Sequence, residues 1–177
     1  MRRFSFFLAL TIILSTFAFA MADNERGPRV PRWQRFRAFL SGYNEVHFDG
    51  VSTPATLRGA VSTKASGHLL AKIDKKNQVI EYELSYKGLE SAVTQAHLHF
   101  GQKHTVGGIV IWLCQTTTTP APEAVKDTPT CPAEGTVTGK IGPEQVLAAA
   151  GQGINEKEFD ELVRAIRSEA TYVNVPG

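Results

Sequence analysis

From residue 36 onwards, the chain alternates hydrophobic and polar residues in short runs that are separated by turn-forming residues. The clearest run is 80–86, in which every second side chain is hydrophobic. Such alternation is typical of an antiparallel strand with one face in the core and the other in water. Further runs predict strands over 36–40, 56–63, 68–73, 93–100, 109–113, 136–141 and 171–175. The pattern therefore predicts a mainly β fold, an antiparallel sandwich or barrel.

Helical spacing replaces this alternation after residue 143. A short turn is predicted over 144–150 and a helix over 156–167. Asn155 has the residue type of an N-cap, and Glu158 would complete a capping box. The apolar residues of the longer helix recur on one stripe: Phe159, Leu162, Val163 and Ile166. This stripe predicts that the helix packs on a sheet.

The first 22 residues have the organisation of a secretory signal peptide. Two arginines precede a nearly unbroken apolar run over 4–20, and small residues flank possible cleavage points after Ala20 and Ala22. An uncleaved membrane anchor is the alternative, because the run reaches the lower limit of a membrane span. Residues 23–35 are rich in Arg and Pro and predict a flexible lead-in. The folded domain is then expected over 36–177.

Charge and the cysteine pair restrict the function classes. The chain has 19 Lys and Arg against 17 Asp and Glu, and the balance is zero without Arg2 and Arg3. A basic surface for nucleic acid is therefore not supported. No later stretch reaches membrane-spanning length, so we expect a secreted or periplasmic protein without a membrane partner after signal cleavage. In that compartment Cys114 and Cys131 predict a disulfide that contributes about 3 kcal/mol. Two soft metal ligands are the alternative.

Histidines carry the candidate chemistry. The chain has five, of which His97 and His99 are two apart on a predicted strand and should project from the same face. Neighbouring imidazoles suit copper or zinc, and His104 in the following loop could supply a third ligand. The alternative is that the pair satisfies buried polar partners at a strand end. No motif for hydrolysis, nucleotide binding or dinucleotide binding is present, and no catalytic residue is predicted.

Several segments together resemble the CHRD domain, a secreted module named after the repeats of chordin. They are 39–46, 82–89, 96–101 and 107–113, with similarity extending to 151–154 and 172–175. The motif residues are Asn44, Glu45, Val46, Gly101 and Gly108. The resemblance implies a compact β-sandwich or barrel in an exported protein. The 96–101 stretch is also distantly similar to the copper-ligand strand of Cu/Zn superoxide dismutase, a Greek-key sandwich.

Two features depart from the CHRD pattern. His47-Phe48 follows the Asn-Glu-Val motif, where family members usually have prolines. Members also usually continue beyond the strand at 172–175 into a closing strand, and the sequence here ends at Gly177. Either the closing strand is missing, which would leave an open sheet edge, or the last strand is supplied otherwise.

Two functions follow as hypotheses. The first is a non-enzymatic extracytoplasmic module that binds an extracytoplasmic protein partner. The second is a copper- or zinc-binding protein, or a dismutase-like redox enzyme, centred on His97 and His99 with His104.

Overall fold

The structure is a computed structural model that describes residues 33–45 and 59–177. The predicted signal peptide, the lead-in up to residue 32, and Val46 and His47 lie outside these residues. So does the first part of the strand predicted over 56–63. Within the described ranges, no helix is long and apolar enough to cross a membrane.

In residues 33–45 and 59–177, seven strands form two antiparallel sheets. The strands are β1 Trp33–Ser41, β2 Ser66–Asp74, β3 Val79–Lys87, β4 Ala96–Phe100, β5 Gly108–Cys114, β6 Gly135–Ile141 and β7 Thr171–Asn174. One sheet has the order β1-β2-β3-β6 and the other the order β5-β4-β7. The two sheets share one hydrophobic core. The mainly β prediction is confirmed, and the arrangement is sandwich-like rather than a closed barrel.

Among the described residues, helical structure is limited to one α-helix and three short 3-10 turns. Helix α1 spans Phe159–Arg167, and the 3-10 turns are Gly42–Asn44, Glu123–Val125 and Pro143–Gln145. The predicted apolar stripe is confirmed, because Phe159, Leu162 and Val163 are fully buried and Ile166 packs against the core.

The four-stranded sheet follows its hydrophobic pattern closely. Leu69 pairs with Leu84, which pairs with Val137, and all three are buried on the inner face. Tyr82 reaches across the core and donates a hydrogen bond to the carbonyl of Leu113 in β5, with an O–O distance of 2.6 Å. This bond connects the two sheets.

Cys114 and Cys131 form the predicted disulfide. The enclosed loop is organised by Gln115, whose side-chain amide donates to the carbonyls of Lys126 and Thr128. The amide oxygen of Gln115 accepts from the backbone of Ala121 at 2.8 Å. Hydrogen bonds of one side chain therefore order the loop in addition to the covalent link.

Several predicted boundaries need correction. Strand β1 begins at Trp33, so residues 33–35 belong to the sheet rather than to the lead-in. Residues 59–63 are not a strand, because Gly59 and Ala60 have φ angles of 60° and 55°, in the left-handed region. Strand β4 begins at Ala96, three residues later than predicted.

The start of helix α1 was also predicted too early. Lys157 has a φ of 66°, which is incompatible with a continuous helix from residue 156. Glu158 is the N-cap instead of Asn155, and its carboxylate accepts a hydrogen bond from the Asn155 backbone at 2.8 Å. The predicted turn over 144–150 is reduced to the 3-10 turn at Pro143–Gln145.

Candidate functional site

The side chains of strand β4 alternate between the shared core and the opposite face, which carries the two histidines. Ala96 and Leu98 are buried on its inner side and belong to the shared core. His97 pairs with Trp112 in β5 and with Asn174 in β7, and His99 pairs with Tyr172. The pairing of β4 with β5 has two irregularities, one between Ala96 and His97 and one between Leu98 and His99.

His97 is buried, with 1% of its surface exposed. The Trp112 ring lies against it at a centroid distance of 4.3 Å and an interplanar angle of 76°. Burial, with a smaller contribution from the neighbouring His99, lowers the pKa of His97 from 6.5 to about 4. Its Nε2 atom has no hydrogen-bond partner within the described part of the chain. His97 is therefore a neutral imidazole with an unsatisfied ring nitrogen.

His99 is held in one orientation from two sides. Its ring stacks on Tyr172 at a centroid distance of 4.8 Å and an interplanar angle of 2°. Its Nδ1 atom lies 3.0 Å from the carbonyl oxygen of Gly107. Because a carbonyl oxygen only accepts, Nδ1 carries the proton, and Nε2 of neutral His99 keeps a free lone pair.

Gly107 is the residue that makes this arrangement possible. Its N–H donates to the Tyr172 hydroxyl at 3.0 Å, while its carbonyl accepts from His99. A Cβ atom at this position would lie 2.0 Å from the carbonyl oxygen of Phe100. Glycine is therefore required here by a close backbone approach.

The predicted histidine set is only partly assembled. The ring centroids of His97 and His99 lie 5.7 Å apart, with an interplanar angle of 80°. His104 is exposed in the 101–107 loop, with a φ of 61°. Across residues 33–45 and 59–177, no group of three or more His, Cys, Asp or Glu side chains is placed to hold a metal ion. The structure thus brings two of the three candidates together.

The motif after β1 connects the two sheets at one end. Asn44 donates to the Ser41 hydroxyl at 3.3 Å inside the 3-10 turn. Glu45 accepts a hydrogen bond from the Asn174 amide of β7 at 3.2 Å. The Glu45 carbonyl also accepts from the backbone N–H of Ala60. These two motif residues therefore have positions that fix the turn and link it to β7.

The motif glycines Gly101 and Gly108 lie at the other end of β4, where the Gln152 side chain forms hydrogen bonds to the neighbouring backbone. The Gly108 N–H donates to the Gln152 side chain at 2.7 Å, and the same amide donates to the Phe100 carbonyl at 2.9 Å. The Gly101 N–H donates to the carbonyl of Ala170. Gln152 was not singled out from the sequence, because it is distant in the chain from the loop it holds.

A cleft of about 960 Å³ lies between the two sheets. Its lining includes residues from both faces of β1 and all of β7, so it opens between these two strands, which belong to different sheets. The mouth is bridged by the Glu45–Asn174 hydrogen bond and by one of 2.7 Å between Arg167 and Gln34. The apolar lining includes Phe36, Ala38, Leu40, Ala71, Leu98, Ile166, Val173 and Val175.

The alternation in the sequence predicted that many of these side chains point inward, but it could not predict a cleft between the sheets. The space between two sheets depends on how far apart they pack, and no residue type encodes that distance locally. Tyr82 and Tyr86 line the cleft. The sequence pattern predicted them only as core residues of the strand over 80–86.

Comparison with known proteins assigns the chain to a family. The CHRD domain family matches residues 36–176, which is most of the chain. Searches of curated proteins and of solved structures return no match. Because the family match covers the two sheets, the histidine pair and the cleft together, the chain belongs to the CHRD domain family.

Proposed function

We propose that this CHRD domain is an exported, non-enzymatic binding module that holds an apolar ligand in the cleft between its two sheets. The observation that carries the proposal is the cleft itself. Its volume of about 960 Å³ is at the upper end of the range of ligand sites, and aliphatic and aromatic side chains form most of its wall.

The chemistry of the cleft favours an apolar ligand over a reacting one. The Tyr82 and Tyr86 hydroxyls donate to the carbonyls of Leu113 and Pro132 at 2.6 and 2.5 Å. Burial raises the pKa of Tyr82 to about 12, so its phenol stays protonated at neutral pH. These hydroxyls are therefore engaged in structural hydrogen bonds, and a ligand would gain mainly apolar contacts.

Polar and charged groups among the lining residues include Glu45, Lys103, His104 and Arg167, of which Glu45 and Arg167 bridge the mouth. A ligand with an apolar body and a polar end fits a cleft that has an apolar wall and charged groups at its mouth. The body would occupy the wall between β1 and β7, and the polar end would remain near water.

Ala71 in β2 provides the sharpest test. It lines the cleft, whereas its neighbour Leu70 points to the opposite face of the same strand and is exposed. We expect Ala71→Phe to fill the cleft and weaken binding of the apolar probe anilinonaphthalene sulfonate by about tenfold or more. The matched variant Leu70→Phe should leave binding unchanged.

The near-ultraviolet circular dichroism of both variants controls for loss of tertiary packing. Equal probe binding by wild type and a folded Ala71→Phe variant would remove the cleft as the site. Organic extraction of the purified wild-type protein, followed by mass spectrometry, would identify a co-purified apolar molecule.

Export rests on separate observations, the signal-like segment at 1–22 and the disulfide, which is typical of oxidising compartments. The mass of protein recovered from the medium or periplasm should correspond to cleavage after Ala20 or Ala22. Recovery of the uncleaved chain in membranes would instead support the anchor alternative.

A further inference from the structure

The unpartnered nitrogen of His97 requires an explanation beyond the cleft. Buried polar atoms are nearly always hydrogen-bonded, and each one left unpaired costs free energy. His97 Nε2 is buried without a partner in the described residues, although Trp112 and His99 pack directly around the ring. A bound group that accepts a nitrogen lone pair would remove this cost.

His99 is half-buried and presents a second ring nitrogen that can donate a lone pair. Its Nδ1–H donates to the Gly107 carbonyl, which fixes the tautomer and leaves Nε2 as a lone-pair donor. Metal-binding histidines commonly donate their other ring N–H to a backbone carbonyl in this way. The stacked Tyr172 ring also fixes the plane of His99.

The spacing of the rings permits one shared ion. With metal–nitrogen bonds of about 2.0 Å and ring nitrogens roughly 1.1 Å from each centroid, two imidazoles on one ion have centroids up to about 6.2 Å apart. The observed separation is 5.7 Å. With these lengths, a separation of 5.7 Å corresponds to a nitrogen–metal–nitrogen angle of roughly 135°, and a bent arrangement of two ligands accepts the interplanar angle of 80°.

We propose that His97 and His99 form a two-nitrogen site for monovalent copper, on the side of β4 that faces away from the cleft. Zinc in proteins takes four ligands, and divalent copper takes a tetragonal set. Monovalent copper is a closed-shell ion and is stable with two nitrogen donors. This ion matches the ligand set found in residues 33–45 and 59–177, which holds no group of three candidate ligands.

The site does not depend on the proposed apolar ligand. Neither His97 nor His99 is among the residues that line the cleft. The sequence also offers few competing soft ligands, because both cysteines are in the disulfide and the two methionines are Met1 and Met21.

The test is a competition titration with bicinchoninate, a chelator of monovalent copper, under nitrogen. Ascorbate supplies the reduced ion without reducing the disulfide. We expect the wild-type protein to withdraw one equivalent of copper from the chelator. His97→Gln and His99→Gln should each weaken this binding by at least about tenfold. The exposed His104→Gln and the β2 variant His68→Gln are matched controls and should bind like wild type.

A measurement on the wild type guards against misfolded variants. Long-range proton–nitrogen NMR spectra should show the Nε2 resonances of His97 and His99 shifting on addition of copper, with those of His68 and His104 unchanged. Absence of copper uptake, shifts confined to His104 or His68, or equal retention of zinc would overturn the proposal. Failure of the Ala71→Phe test would leave these results unaffected, so the two proposals can be judged separately.

Discussion

The two sheets treat buried polar side chains differently. In the four-stranded sheet, Asp74 is fully buried, and its carboxylate accepts hydrogen bonds from the backbone and amide of Asn77. In the three-stranded sheet, His97 is equally buried and leaves Nε2 without a partner in the described residues. The four-stranded sheet has uninterrupted register, whereas the pairing of β4 with β5 is irregular immediately before each of the two histidines. Buried polar atoms are hydrogen-bonded and strand register is regular in the four-stranded sheet, whereas both rules are broken near the candidate histidine site.

The largest expected effect concerns the close approach at Gly107. Gly107→Ala places a Cβ atom against the Phe100 carbonyl and displaces the partner of both His99 and Tyr172. We expect a loss of about 3 kcal/mol or more in the free energy of unfolding, measured by urea denaturation.

Gly142→Ala, next to the four-stranded sheet, is the control, because its Cβ would make only ordinary contacts of 3.5 and 3.7 Å. It should cost about 1 kcal/mol or less. Similar losses for the two variants would contradict the claim that the close backbone approach at Gly107 requires glycine.

The second effect is a pH dependence that originates at His97. The pKa of its imidazole is about 4 in the folded state against 6.5 for the free side chain. The unfolded chain therefore takes up a proton first as the pH falls, so stability is full above about pH 6.5 and declines towards about pH 4, by up to about 3 kcal/mol.

Denaturation curves of wild type and His97→Gln across that range measure this contribution. The pKa of Glu158 is also lowered, by hydrogen bonds from Asn155, and its contribution is lost only below the usual range of a carboxyl group. A wild-type profile that matches the variant between neutral pH and about pH 5 would show that His97 is not the source.

The smallest effect concerns the hydrogen bond that joins the sheets. Tyr82→Phe removes the hydroxyl and leaves the buried Leu113 carbonyl without its donor. We expect a loss of about 1 kcal/mol, measured by thermal unfolding, without a change in copper binding. A loss of copper binding in this variant would mean that the contact between the two sheets is coupled to the histidine site.

Sequence patterns predicted the four-stranded sheet well because each strand there depends on neighbours with the same alternation. Strands β2, β3 and β6 were located within two residues at each end, and only the start of β1 was missed by more. Left-handed backbone at Gly59, Ala60 and Lys157 explains the wrong strand over 59–63 and the early start of the helix, since Ala and Lys rarely adopt it.

The candidate site was predictable only in part. The two-residue spacing of His97 and His99 indicated a shared strand, but their surroundings come from residues distant in sequence. Tyr172 and Gln152 reach the 101–108 segment only through the fold. Alternation alone placed both imidazoles on one face of the strand, and it could not foresee that Trp112 would pack against His97.

The pairing of β4 with β7 has a consequence for the order of assembly. Strands β2 and β3 are joined by a tight turn and can pair as soon as both are synthesised. Phe100 of β4 can pair with Thr171 of β7 only after about seventy further residues have been synthesised. A chain that is synthesised from its amino end would thus form the β2–β3 pair of the four-stranded sheet first. The stacking of Tyr172 on His99 would form later than the β2–β3 pairing. The environment of His99 therefore reports on whether β7 has joined the fold.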